Sequence, residues 1–376
     1  MVVFGTRPEA IKVAPVIAEL GRSAAFEPIV TVTAQHREML DQVLDTFGIR
    51  PDHDLAILAP GQTLTDVTVR ALAGLSPVIE ATRPDAVVVQ GDTTTTFVGA
   101  LAAFYHRVPV VHLEAGLRTG DPYSPYPEEI NRRITTQLTS LHLPPTAVAR
   151  ANLIAEGVAA DRIVVTGNTV IDALLWAVAQ EVPYGDPALD GLDDDPRRVL
   201  LVTAHRRESW GPAMESIGRA IAEVARDEPD LLVVFPIHRN PLVRDAIVPF
   251  VAGLSNVVVI EPLAYGPFAR LIARSHIVLT DSGGIQEEGP SLGKPVLVMR
   301  DTTERPEAVT AGTARLVGTD QATIVSAVRA LLHDQASFDA MAHAVNPYGD
   351  GRAAWRAVSA IRHFFGDGPA PDEFHD

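Results

Sequence analysis

The amino-acid sequence predicts an α/β protein of two doubly wound parallel sheets, and three features carry that expectation. Short β-branched runs alternate with longer stretches of helical spacing along the whole chain, the pattern of βα units. At 376 residues the chain is long enough for two domains of ordinary size. The stretch EVPYGDPALDGLDDDP at 181–196 combines turn formers and acids with no apolar period, and it is the expected joint between the two halves.

Taken in order, the first-half strands are expected at Val2–Phe4, Ile29–Thr33, Ala86–Gln90, Val108–Leu113 and Arg162–Thr166. Helices start near Pro8, Arg37, Leu64, Thr95 and Glu128, where apolar spacing changes from two to between three and four. The second-half strands are Arg198–Thr203, Leu231–Ile237, Val257–Ile260, His276–Thr280 and Pro295–Met299. Helices are expected there from about Pro212, Pro241, Gly266, Gly284 and Asp320. The last element, Arg352–Phe365, places Trp355, Val358, Ile361 and Phe365 on one face. The closing GDGPAPDEFHD is expected to be mobile.

Composition removes several classes of function. The net charge of −16 repels phosphate polymers and anionic lipid, so neither a nucleic acid nor a membrane is an expected partner. The absence of cysteine excludes disulfides, thiolate metal sites and cysteine nucleophiles together. The opening MVVFGTRPEA has no charged leader and apolar core, and no apolar run approaches bilayer length, so a cytoplasmic protein is expected. Arginine supplies all but two of the 31 basic residues. Of the two lysines, Lys12 sits in the second turn of the first helix and reads as functional, whereas Lys294 reads as a strand lead-in.

The polar and glycine-rich clusters follow directly on strands: GTRPEA, GDTTTT, EAGLRTGD, AHRRES, HRN, DSGGIQEE and RDTTERPE. Parallel sheets bind ligands beyond the carboxyl ends of their strands, so two binding edges facing a cleft are expected. Ser282-Gly283-Gly284 ends a strand and opens a helix, where backbone N–H groups can hold an anion. Gly5-Thr6-Arg7-Pro8 repeats that arrangement in the first half, with Arg206, Arg207 and Arg305 as further cations. A diphosphate is the simplest anion for both turns. Glu287 and Glu288, one turn into the helix, are placed to accept from a ribose diol.

Asp92, Glu114, Glu128 and His205 remain as candidates for proton chemistry. Asp92 and Glu114 end neighbouring strands, although Asp92 before four threonines also fits a helix cap. The dinucleotide fingerprint, the phosphate-loop pattern, HExxH metal spacing and a G-x-S-x-G elbow are all missing.

These motifs together resemble the non-hydrolysing UDP-N-acetylglucosamine 2-epimerases. The blocks are FGTRPEAIK at 4–12, VTAQHREMLDQVL at 32–44, QGDTTTT at 90–96, HLEAGLRTGD at 112–121, YPEEINR at 126–132, TGNTVIDAL at 166–174, AHRRES at 204–209, the long TDSGGIQEEGPSLGKPVLVMRDTTERPEAVTAGT at 280–313, and NPYGDG at 346–351. The resemblance implies two Rossmann-like domains in the glycosyltransferase-B arrangement. The first would take 1–170 plus a returning 352–376, and the second 171–351. It also implies interconversion of UDP-GlcNAc and UDP-ManNAc by a homodimer, with no cofactor and no metal, and a place in cell-surface polysaccharide biosynthesis. The nucleotide-contacting set carries over to Arg7, Lys12, His205, Phe268, Ser282, Gly283, Gly284, Glu288 and Arg305. The catalytic set carries over to Asp92, Glu114, Glu128 and His205. Gln35, His36 and Arg37 fall in the segment where some relatives bind a second, activating UDP-GlcNAc.

A C2 hydrogen with no adjacent carbonyl resists direct removal, so the implied route is loss of UDP to 2-acetamidoglucal and re-addition. Water would be kept out by motion about the 181–196 joint. The rivals are a hydrolysing epimerase, an epimerase of 2,3-diacetamido uronic sugar nucleotides, and a non-catalytic sugar-nucleotide sensor.

Overall fold

The computed structural model describes residues 1–34 and 37–375, with residues 37–39 described by their backbone. The chain divides into two compact units, Met1–Ala173 with Tyr348–Asp376, and Leu174–Pro347. Unit 1 contains β1 (Val2–Phe4), α1 (Arg7–Arg22), β2 (Val30–Val32), α2 (Arg37–Phe47), β3 (His53–Asp54) and α3 (Leu64–Thr82). It continues through β4 (Val87–Gln90), α4 (Thr94–Tyr105), β5 (Val110–Leu113), α5 (Glu128–Leu138), β6 (Leu141–Leu143) and α6 (Ala147–Ala155). Helix α7 (Thr169–Ala179) carries the chain into unit 2.

Unit 2 contains β7 (Arg198–Thr203), α8 (Pro212–Asp227), β8 (Leu231–Pro236), α9 (Pro241–Val251), β9 (Val257–Ile260), α10 (Tyr265–Arg274) and β10 (Ile277–Thr280). It closes with α11 (Ile285–Ser291), β11 (Val296–Val298), α12 (Pro306–Thr310), β12 (Ala314–Leu316), α13 (Gln321–His333) and α14 (Gln335–Ala342). The last helix, α15 (Ala353–Phe364), lies back in unit 1 against α1 and β6.

Both sheets are parallel and wound alike, β3-β2-β1-β4-β5-β6 in unit 1 and β12-β11-β10-β7-β8-β9 in unit 2. Winding runs outward in both directions from the centre, so the loops after β1 and β4 part company, as do those after β7 and β10. Each parting leaves a crevice at the strands' carboxyl ends. The central strands read as continuous apolar runs because helices cover both faces; Val199 to Val202 of β7 are completely buried.

Four expectations need correction. Arg162–Thr166 is not a regular strand: a 3-10 turn at Ala160–Arg162 consumes its start, and the rest joins the β6 edge through one bridge from Ile163 to His142 and amide bonds from Val164 to His142 O and from Thr166 to Pro144 O. Three short strands, β3, β6 and β12, were not expected, and all lie on sheet edges. Segment 181–196 is no loose joint, since Tyr184, Leu189 and Leu192 are buried against unit 2. There Arg270 covers the Tyr184 ring at 4.7 Å and donates to Val182 O, while Arg274 donates to Asp195 O. The tail is anchored too: the Phe374 N–H donates to Val165 O, its buried ring lies beneath Arg356, and Glu373 pairs with Arg150. Among the described residues no helix is long and apolar enough to cross a membrane.

Candidate active site

In unit 1 the switch point between β1 and β4 is built around a carboxylate. Thr6 caps α1, and Glu9, three residues on, folds back in a capping box. Glu9 is 1% exposed. Its Oε2 accepts from the Gly5 and Thr6 amides at 3.0 and 2.8 Å and from the Thr6 hydroxyl. Its Oε1 accepts from Thr93 and Thr96 in the loop after β4. Burial pushes its pKa up against these hydrogen bonds. The sequence reading of Gly5-Thr6-Arg7 as a backbone anion site is therefore corrected: those amides already serve an internal anion. Arg7, half-buried at the same turn, makes no hydrogen bond or ion pair among the described residues.

Asp92 follows β4, and the cap of α4 is its neighbour Thr93, whose side chain accepts from Thr96 N. That settles the helix-cap alternative against Asp92. Its Oδ2 instead receives two hydrogen bonds from Arg132, at 2.9 and 2.7 Å, and Asn131 holds its carbonyl. Arg132 is itself fixed by Glu129, which is wholly buried and also accepts from the Thr119 and Gly120 amides. Burial would raise the Glu129 pKa, but those amides and Arg132 outweigh it and the net direction is down.

Glu114 ends β5 with φ at +59°, a left-handed backbone that costs a side-chain-bearing residue energy. Lys12 Nζ lies 2.6 Å from both of its oxygens, and Gln90 and Asn168 also donate to it. Lys12 is thus the cation of Glu114 in this structure. His112, two residues earlier, is buried and sits 2.7 Å from Gly91 O; burial lowers its pKa to about 4. Glu128, half-buried at the start of α5, makes no hydrogen bond or ion pair among the described residues. Gln35 and His36 lie outside the described residues, as does the side chain of Arg37.

In unit 2 the loops after β7 and β10 meet through Asp281, which is wholly buried. Its Oδ2 accepts from the amides of His205 and Arg206 at 2.7 and 2.8 Å, and its Oδ1 lies 2.9 Å from His205 Nδ1. His205 stacks on His238 with ring centroids 6.0 Å apart, beside an open cavity of about 460 Å³ lined by Arg206, Trp210 and Asn240. The amides of Gly283 and Gly284 meet no acceptor among the described residues, whereas Ser282 N donates to Thr280 Oγ1. Glu288 is buried and accepts from Tyr265 at 3.4 Å; half-buried Phe268 lies one turn along the same helix α10. Arg305 pairs with Glu287, so this cation already has an internal anion.

Unit 1 therefore gathers Arg7 and Lys12 on α1, Asp92 after β4 and Glu114 after β5, with Glu128 at the start of α5. Unit 2 gathers His205, Ser282, Gly283, Gly284 and Glu288, with Arg305 behind Glu287. Sequence reasoning missed Glu9, Gln90, Arg132, Asn168 and Asp281. For Glu9 one signal was present, the T-x-x-E spacing of a capping box. Among the described residues no group of three His, Asp or Glu is arranged to hold a metal ion.

Two Rossmann-like parallel sheets, with free backbone amides at the switch point of one and cation-held carboxylates after neighbouring strands of the other, define a nucleotide-handling α/β enzyme. Residues 18–362 match the family model for UDP-N-acetylglucosamine 2-epimerase. The UDP-N-acetylglucosamine 2-epimerase of Escherichia coli K12 is 54% identical over 96% of this chain and 98% of its own. The UDP-GlcNAc 2-epimerase of Neisseria meningitidis, solved bound to UDP-GlcNAc, is 48% identical, with a TM-score of 0.85 over 96% of this chain and 99% of its own. S. aureus MnaA, solved with UDP, is 45% identical, with a TM-score of 0.86 over 100% of this chain and 99% of its own. The chain belongs to the UDP-N-acetylglucosamine 2-epimerase family.

Proposed function

We propose that the chain interconverts UDP-GlcNAc and UDP-ManNAc by eliminating UDP and adding it back, without hydrolysis and without a redox cofactor. Unit 2 takes the nucleotide and unit 1 the sugar's proton chemistry. The supporting observation is the pair of carboxylates at the ends of adjacent strands β4 and β5, each held by its own cation, Asp92 by Arg132 and Glu114 by Lys12. Carboxylates fixed in this way are preorganised to take a proton from one face of C2 and return it to the other.

Elimination breaks the C1–O bond, leaves the electron pair on the diphosphate, and releases the C2 proton to a carboxylate, giving 2-acetamidoglucal and UDP. The departing charge calls for fixed donors. His205, Ser282 and the Gly283 and Gly284 amides fill that role, with Arg7 and Arg305 as further cations. Glu288 takes the ribose diol and Phe268 flanks the base. Lys12 exchanges between Glu114 and substrate oxygen, and Glu128 assists at the sugar. Re-addition reverses every step with the proton delivered to the opposite face.

A cytoplasmic homodimer is part of the same proposal. Its support is the row of exposed apolar side chains on α4 and α5, Phe104, Tyr105, Ile130 and Ile134. The test is incubation with UDP-GlcNAc in D2O with nothing added. UDP-ManNAc carrying deuterium at C2 is expected by NMR. Free ManNAc, or a requirement for nicotinamide, refutes the proposal.

A further inference from the structure

The imidazole assigned to the departing diphosphate has a buried carboxylate behind it. Asp281 follows β10, is inaccessible to water, and reaches the loop after β7, 76 positions earlier in the chain. One oxygen is spent on the backbone amides of His205 and Arg206. The other lies 2.9 Å from His205 Nδ1, within ion-pair distance but off the line of a hydrogen bond, and has no hydrogen-bond partner among the described residues. Burial alone would raise the Asp281 pKa, but His205 and the two amides outweigh it and hold the acid in its charged form. A carboxylate only accepts, so the nitrogen facing it carries a hydrogen and Nε2 is left for a ligand.

We infer that Asp281 is a positioning residue: it fixes His205 as the Nδ1–H tautomer and sustains the imidazolium when an anion reaches Nε2, making His205 a charged donor to a nucleoside diphosphate. The inference rests on the reading of His205 as a diphosphate ligand. Asp281 touches no substrate and acts through the ring.

Asp281→Asn separates this role from mere packing. The asparagine carbonyl can take over the two backbone amides, while its NH2 group faces Nδ1, which must then accept. The hydrogen moves to Nε2 and the imidazolium loses its counter-charge. In protein labelled with 15N-histidine, His205 is assigned by its loss in His205→Gln. The unsubstituted protein is expected to show a protonated Nδ1 and D281N an unprotonated one. UDP binding by calorimetry should weaken about tenfold or more in D281N, the difference between a charge-assisted and a neutral donor. In the H205Q background, D281N should change UDP affinity no further. The inference is overturned by an unprotonated Nδ1 in the unsubstituted protein, by an unchanged tautomer in D281N, or by equal weakening of UDP in both backgrounds. A protein that shows the expected tautomers and UDP losses but never epimerises UDP-GlcNAc refutes the proposed reaction and leaves Asp281 standing.

Discussion

Removing the Glu9 carboxylate should destabilise unit 1 far more than neutralising it. Glu9 accepts from five groups: two buried amides (Gly5 and Thr6) and three hydroxyls (Thr6, Thr93 and Thr96). The hydroxyls can rotate toward other acceptors in Glu9→Ala, but the amides cannot. Two orphaned buried amides cost about 2–6 kcal/mol, and the emptied volume adds roughly 1 kcal/mol. Relief of a buried charge offsets part of this, leaving a net loss of about 3–5 kcal/mol. Glu9→Gln behaves differently. Thr96 has one hydroxyl hydrogen for two acceptors, Glu9 Oε1 at 3.1 Å and Gln90 O at 2.6 Å. An NH2 group at Oε1 would donate to Thr96 and free its hydrogen for Gln90, while the remaining oxygen keeps both amides. The glutamine should therefore cost about 1 kcal/mol or less. In urea titrations followed by circular dichroism, E9A should unfold about 1–2 M earlier, at a slope of about 2–3 kcal/mol/M, and E9Q close to the parent. Equal midpoints for E9A and the parent, or an E9Q loss as large as that of E9A, would refute the bonding scheme.

Asp92→Asn and Glu114→Gln should each nearly abolish deuterium exchange at C2 while sparing UDP binding, read by NMR and calorimetry; full exchange in both removes them from the reaction. Burial pushes Asp172 up to about 6, where it caps α15 through the Ala353 and Ala354 amides. The folded state then keeps a proton that the unfolded chain has lost between about pH 4 and 6. Stability from this group accordingly falls as pH rises through that window, by about 3 kcal/mol. Melting temperature against pH should flatten there in Asp172→Asn. Gly116→Ala should unfold unit 1 at ordinary temperature, because φ is +86° and the new Cβ would collide with the Ala149 carbonyl. A soluble G116A protein with the parent melting temperature would contradict this geometry.

How legible the fold was depended on how deeply each element is buried. The central strand Arg198–Thr203 matches its expected limits, because burial on both faces demands an unbroken apolar run; the edge strand Val257–Ile260 was also legible, because its four residues are all β-branched. The edge strands β3 and β12 are two or three residues long and half-exposed, and β6 carries a histidine at its centre, so none shows such a run. Segment 181–196 looks like a linker because its acids and prolines dominate locally. Its anchors, Arg270 and Arg274, come from a helix some 80 positions away. The candidate acids were legible because they end apolar strands abruptly. Their partners were not: the Glu9–Thr93 contact spans 84 positions and the His205–Asp281 contact 76, distances over which spacing in one sequence carries no signal.

The two units solve the same topological problem with opposite consequences for a ligand. At each switch point the diverging loops are tied by a buried carboxylate, Glu9 in unit 1 and Asp281 in unit 2, beside a pair of touching threonines, Thr33 with Thr95 and Thr203 with Thr280. In unit 1 the tie comes from the helix after β1, and it consumes the amides that a helix start would otherwise offer to an anion. The cations at that end of unit 1 are side chains, Arg7 and the Glu114-paired Lys12. In unit 2 the tie comes from the loop after β10 and binds amides on the opposite loop, so the Gly283 and Gly284 amides stay open. On the proposed function, the open amides of unit 2 suit a polyanion, and the cation-held carboxylates Asp92 and Glu114 of unit 1 suit proton exchange. The direction in which a single buried acid reaches across its crevice decides which of two sheets of identical winding keeps its helix-start amides open.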